Sequence, residues 1–299
     1  LRDGRDCVIV DTGIDAETCR DTWEGVFAGE LKDANVSDVV VTHMHPDHAG
    51  CAGWLVDRLD TAFWMTREEY LMCRVLMSDT NADVPEAALR FYHAAGFSEE
   101  QLATFKANFG MFGKFVSDMP KSYRRLRDRE RPDFGGGAWE ILIGRGHSPE
   151  HACLFDAERN VVIAGDQILP TISPNVSVWP TEPQANPLGD FFDSISTLEA
   201  RLPEDVLVLP AHGTPFRGAH ARLEALRREH ADKLNVLLEN GGSPRRAVDT
   251  FTDLFGRPID DRNRVMATGE ALAHLHYLVE NGDMVADVDD DHVTWFRRR

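Results

Sequence analysis

The stretch "VVVTHMHPDHAG", residues 39 to 50, decides how the rest of the chain is read. Three valines in a row favour a strand, and an unbroken apolar run is what a strand buried on both faces looks like. Directly after it, His43, His45, Asp47 and His48 fall within six positions. Neutral imidazoles and carboxylates are the side chains that hold zinc, and also iron or manganese. His43 and His45 are two apart and can point the same way from an extended turn, which leaves Asp47 and His48 to face a neighbouring position.

The same grammar recurs three times. "ILIGRG" (141–146) runs into His147, "VVIAG" (161–165) into Asp166, and "LVLPA" (207–211) into His212. In an open α/β sheet, sites gather outside the carboxyl ends of the strands, so four separate runs deliver candidate ligands toward one edge. Five histidines and two aspartates are too many for one tetrahedral ion. They suit two ions that share a bridging carboxylate.

Around these runs the chain reads as β/α. "CVIV" (7–10) is a strand stopped by "DTG", and residues 15–32 place Trp23, Val26, Phe27 and Leu31 on one helical face. Residues 66–130 turn rich in Met, Ala, Leu, Glu and Phe and read as a helical insertion; "PEAALRFYHAAGF" (85–97) has a helix-starting Pro and a helix-stopping Gly. "KSYRRLRDRER" (121–131) forms its basic tail, and "FGGGAW" (134–139) a flexible turn. Strands return at 139–144, 160–165 and 205–210. Helices are expected at 219–240, 244–255 and 263–281, followed by strands at 284–288 and 292–296. The expected division is a catalytic domain over 1–218 and a helical, winged-helix-like module over 219–299.

Composition narrows the function classes. A net charge of −18 argues against a nucleic-acid surface. Within 219–299, 12 Lys and Arg face 15 Asp and Glu, and 267–281 contains no Lys or Arg, so the module lacks the cations a phosphate-binding helix needs. No run of about 18 apolar residues could span a membrane. Five scattered cysteines without a CxxC fit a reduced, cytoplasmic protein.

With these motifs in view, the chain resembles the metallo-β-lactamase-fold hydrolases. "THMHPDHAG" matches that superfamily's HxHxDH signature, and "GHSPEH", "AGD" and "AHG" follow in the family's order, over roughly 1–64 and 131–218. The resemblance implies an α/β fold, the αββα sandwich, with a dinuclear site in the cleft between two sheets. It implies that His43, His45 and His147 hold the first metal, that Asp47, His48 and His212 hold the second, and that Asp166 bridges them. Asp47 and Asp166 are then the catalytic carboxylates. Asp11, in "VDTG", matches a position that supports the ligand loop from behind. Within the superfamily the chain looks most like the glyoxalase II-like branch, given "GDQILPTISPNVSVWP" (165–180) and the winged-helix-like end.

The activity expected from that resemblance is hydrolysis by a hydroxide bridging two divalent metals, zinc first, on a small ester-like substrate. A thioester leads, a lactone or other ester follows, and a phosphodiester or RNA comes third. A metal-containing nucleic-acid-binding regulator is the reading from a different class. His151, four residues after His147, either supports a ligand or touches substrate; otherwise it is a solvent-facing helix-start histidine. Tyr123 and Arg124, in the basic tail, are candidates for contact with an anionic substrate arm. The other histidines read as surface or packing residues. A homodimer is suggested by analogy for the C-terminal module.

Overall fold

Val39 and Val41 face one core and Val40 another in the computed structural model, which describes all of residues 1–299. That alternation places the first sheet between two layers. Its strands are β1 (Arg2–Asp3), β2 (Asp6–Val10), β3 (Asn35–Val40), β4 (Ala62–Met65) and β5 (Arg124–Arg125), in that spatial order. All pairs are parallel except β1 with β2. The crossovers are α1 (Glu17–Ala28), then α2 (Pro46–Ala49) with α3 (Ala52–Leu59), and finally a longer excursion through α4 (Arg67–Ser78), α5 (Glu86–Ala94) and α6 (Glu99–Ala107). Val39, Val41, Leu55, Met65, Tyr70 and Cys73 form the core between this sheet and its helices.

The second sheet holds β6 (Glu140–Gly144), β7 (His151–Asp156), β8 (Val161–Gly165) and β9 (Leu207–Pro210). Val8 and Val40 of the first sheet meet Ile141, Ala152 and Leu154 of the second in one buried cluster. The two sheets therefore stack face to face, with α1, α3 and α4 behind the first. Behind the second lies α7 (Pro187–Arg201). Asn186 caps it by accepting a hydrogen bond from Gly189 N at 3.1 Å, and Pro187 sits at its first position. This is the αββα sandwich. The remaining elements are α8 (Ala219–Asn240), a 3-10 turn at Ala247–Thr250, α9 (Phe251–Phe255), α10 (Arg264–Glu280) and the hairpin of β10 (Met284–Val288) with β11 (Thr294–Arg298).

One sequence expectation needs correcting, and two others are sharpened. The basic tail is not part of a helical segment: Arg124–Arg125 is the edge strand of the first sheet, paired with Trp64–Met65. Its charges gave no apolar pattern from which a strand could be read. "FGGGAW" closes on itself, with Phe134 N donating to Gly137 O at 3.0 Å, and Gly135 and Gly136 supplying positive φ of 58° and 70°. Of the two readings of His151 the solvent-facing one fails, since the residue starts no helix and is buried. It opens β7, every residue of which is buried, and such a strand shows no alternation to find.

The insertion also reaches the C-terminal elements. Ala95, at the end of α5, joins the core of the C-terminal helices and accepts a hydrogen bond from Val248 N at 3.2 Å. No helix is long and apolar enough to cross a membrane.

Candidate metal centre

The ligand candidates arrive from four strand ends. The β3 end passes through Thr42 into His43 and His45, and α2 then carries Asp47 and His48. The β6 end gives His147, the β8 end Asp166, and the β9 end His212. Three groups of side-chain donor atoms lie within 4.8 Å of one another: His43, His45 and His147; His43, His48 and Asp166; and Asp47, His48 and His212. His43 and His48 are buried, whereas the Asp47 and His212 side chains are 49% and 47% exposed, so the site opens on their side.

Hydrogen bonds decide which nitrogen each ring presents. Thr42 Oγ1 donates to Asp11 Oδ2 at 2.9 Å, so it accepts from His43 Nδ1 at 3.0 Å. His147 Nδ1 donates to Asn175 O at 2.8 Å, and His48 Nδ1 to Asp11 Oδ2 at 2.8 Å. His43 and His147 are thereby left with a bare Nε2 turned inward, and His48 is held so that its Nε2 faces the same cluster. His43 Nε2 lies 3.3 Å from His147 Nε2 and 3.0 Å from His45 Nδ1. Ring nitrogens gathered so closely, with lone pairs converging, fit a cation.

Two further observations test that fit. His48 Nε2 and Asp166 Oδ1 are buried and make no hydrogen bond. Buried polar atoms are rarely left without a partner, and these two face the same point. Asp166 also looks both ways: Oδ1 stands 3.5 Å from His48 Nε2 and from His212 Nε2, and Oδ2 stands 3.5 Å from His147 Nε2.

The electrostatics agree. Burial holds His43 and His147 well below the ordinary histidine range, helped by the neighbouring imidazoles, and lowers His45 to about 3. Neutral rings keep their lone pairs for a metal. His48 behaves oppositely: burial opposes its charge, but Asp11, Asp166 and Asp47 raise it to about 9. Three carboxylates thus create a field that favours positive charge at that point, whether a proton or a metal ion brings it. Burial raises Asp11, yet His48 and the Thr42 hydrogen bonds outweigh it and hold the carboxyl below its usual value. Asp11 sits at φ 58°, an uncommon conformation for a non-glycine residue.

His151 is fully buried beside the ligands. Its Nε2 accepts from Asp166 N at 3.1 Å, so it positions the backbone of the central aspartate. The structure does not bring Tyr123 and Arg124 into the ligand cluster. Tyr123 stacks on Tyr70 at 4.0 Å, and Arg124 turns to Asp38 at 3.7 Å and lies over the Trp64 ring.

One supporting residue escaped the sequence reading. Glu69, on α4, is fully buried and accepts from Met44 N at 2.9 Å, from Glu150 N at 2.8 Å and from the Ser148 hydroxyl at 2.6 Å. It ties the HMH loop to the "GHSPEH" loop. Burial pushes its carboxyl up to about 7 against those three hydrogen bonds. In "REEY" nothing separates it from an ordinary first-turn acid, because its partners lie on distant loops.

Comparison with known proteins gives two family matches along the chain. The profile of a family described as "Metallo-beta-lactamase superfamily" matches residues 1–212, and that of "Metallo-beta-lactamase-like, C-terminal domain" matches 234–299. A beta-lactamase domain protein from Burkholderia ambifaria is similar in structure, with a TM-score of 0.89 and 35% identity over 98% of this chain and 83% of that one. A metallo-beta-lactamase family protein from Thermus thermophilus is similar with a TM-score of 0.83 and 28% identity, over 100% of this chain and 92% of that one. In sequence, the chain is 23% identical over 282 residues to the probable metallo-hydrolase YqjP of Bacillus subtilis (strain 168), covering 90% of this chain and 83% of that protein.

Proposed function

Because this chain belongs to the metallo-beta-lactamase superfamily and is a metallo-hydrolase of that family, we propose that it is a dinuclear enzyme for a small ester-like substrate, with a thioester first. The observation that carries the dinuclear reading is the two-sided placement of Asp166 between the group containing His147 and the group containing His48 and His212. His43, His45 and His147 would hold one divalent cation, Asp47, His48 and His212 the other, and Asp166 would serve both. Zinc is the first expectation, and iron or manganese suit the same nitrogen and oxygen donors. When bound, such a pair supplies an acidified water and a Lewis acid for the electrophile.

The side chains contribute the rest. Thr42, Asn175 and Asp11 hold the imidazoles in the tautomers that face inward. Asp47, half exposed at the open side and 3.2 Å from His212 Nε2, would be the carboxylate that takes a proton from the attacking water. The side chains that converge here are imidazoles and carboxylates. With those groups engaged by the cations, no side chain of the cluster would be free to protonate a leaving group, which favours one that departs as an anion, and a thiol of pKa about 8.5 does so far more readily than an alcohol or an amine. The five cysteines are all unpaired, which supports a reducing, cytoplasmic setting.

The test is thiol release from a panel of acyl-glutathione and acyl-coenzyme A thioesters, using wild type and Asp47→Ala at measured metal content. Release by the wild type with loss of at least about 100-fold in the folded variant is the expected result. Silence from the fully metallated wild type across the panel refutes the thioester reading and moves lactones and phosphodiesters to the front.

A further inference from the structure

Residues 169–178 follow Asp166 and carry the Asn175 carbonyl that orients His147. They form no helix or strand, and their one backbone–backbone hydrogen bond runs from Val178 N to Gly269 O at 3.1 Å. A segment without ladder bonds must take its position from other partners. Here the partners belong to α8 and α10.

The Arg222 guanidinium on α8 donates to Leu169 O at 2.6 Å and to Ile172 O at 2.9 Å. Further along the same helix, His230 reaches Ser173. The direction of that chain of hydrogen bonds is set from its far end. His274 Nδ1 donates to Glu270 O at 2.8 Å, so His274 Nε2 accepts from His230 Nδ1 at 3.1 Å, and His230 Nε2 accepts from Ser173 Oγ at 2.9 Å. Burial lowers His230 to about 2 and His274 to about 4, so both are neutral and the chain acts as a fixed hydrogen-bonded strut. A base that weak would not activate Ser173 as a nucleophile.

Glu270 completes the arrangement. Its Oε2 accepts from Asn175 Nδ2 at 3.2 Å, and its Oε1 accepts from Lys233 Nζ at 2.7 Å. The adjacent residue, Gly269, lies so close to the segment that a Cβ would stand 2.7 Å from Ser177 Cβ and 2.9 Å from Val178 O.

We propose that the C-terminal helices are a positioning device for the metal site: Arg222, His230 and Glu270 hold residues 169–178 so that the Asn175 carbonyl fixes the ring of His147. This rests on the metal-binding reading proposed above and gives the appended module a role in it. The residues act through Asn175 and His147 and touch no reacting atom. Partners that orient a ligating imidazole typically change metal affinity by about 10–100-fold when removed.

The experiment uses the full chain, stripped of metal, with zinc affinity measured by chelator competition and the visible spectrum recorded after loading with cobalt(II). Glu270→Ala should weaken zinc binding by about tenfold and alter the cobalt spectrum. Glu270→Gln, whose amide oxygen still accepts from Asn175, should restore most of both. Arg222→Met provides the same test from the other end of the segment, and carries it alone should Glu270→Ala fail to fold. Folded variants with wild-type affinity and an unchanged spectrum overturn the proposal. A wild type that binds neither metal sinks the metal reading itself, which separates the two failures.

Discussion

Gly165 shows how little room the candidate ligands leave. It ends β8 at φ 50°, and a Cβ there would stand 2.5 Å from His151 Nε2, the acceptor for Asp166 N. An alanine would add the strain of a left-handed backbone, about 1–2 kcal/mol, to a clash with a buried ring that has no space to retreat. Gly165→Ala should therefore lower unfolding free energy by about 2 kcal/mol or more in urea titration and reduce bound metal per chain. Unchanged stability and metal content would show that His151 can yield. At this scale the candidate ligands were legible from strand-end positions. The supporting hydrogen bonds were not, since each depends on an atom elsewhere in the fold.

Among the elements, α4 is the one whose role differs most from its sequence pattern. Its Tyr70 and Cys73 pack beneath the first sheet, as an amphipathic helix would. Glu69, between the apolar positions, is buried as well and spans to both ligand loops. Removing its carboxylate strands two backbone N–H groups and the Ser148 hydroxyl without acceptors. Each buried group left unsatisfied costs about 1–3 kcal/mol. Glu69→Ala should lose about 2 kcal/mol or more in urea unfolding, and Glu69→Gln, which retains one acceptor oxygen, should lose less. Equal losses in the two variants would mean that packing rather than acceptance is what Glu69 provides. The edge strand β5 teaches a related point. Two arginines pair there through the backbone, and strand pairing by two charged residues leaves no apolar mark in the sequence pattern.

For the whole molecule, the largest core joins parts that the sequence reads as separate. Leu142, Val162 and Val208 of the second sheet and Phe191 of α7 share one buried cluster with Leu223, Leu226, Ala271, Leu275 and Phe296. A chain cut after residue 218 would expose that surface, so it should fail to show a cooperative thermal transition by circular dichroism and should aggregate. A soluble, cooperatively melting 1–218 fragment would contradict this. The buried His230–His274 pair adds a pH dependence. Each folded pKa is depressed below the unfolded value of about 6.5, so their contribution is complete above pH 6.5 and is lost as pH falls toward their folded values. Below pH 6.5 the unfolded chain binds protons that the folded chain refuses, at roughly 1.4 kcal/mol per pH unit for each group. His274, Lys233, Glu270 and Ser173 face or adjoin His230 in this arrangement. Urea unfolding at pH 7, 6 and 5 should show stability falling with acid, and His230→Gln should have the shallower slope. Parallel slopes would assign the acid sensitivity to other groups.

By itself the sequence determined the α/β class of the chain, the strand ends that carry His43, His147, Asp166 and His212, and the family to which they belong. Apolar runs and ligand spacing are local properties, and local properties survive in one dimension. Tertiary structure alone decided which nitrogen each imidazole presents, that His151 is a buried strand residue, and that Glu69 and Glu270 serve the ligand loops. Glu69 and Glu150 are 81 positions apart, and Asn175 and Glu270 are 95 apart. Hydrogen bonds across such separations are specified by how packed layers meet, so no spacing along the chain encodes them.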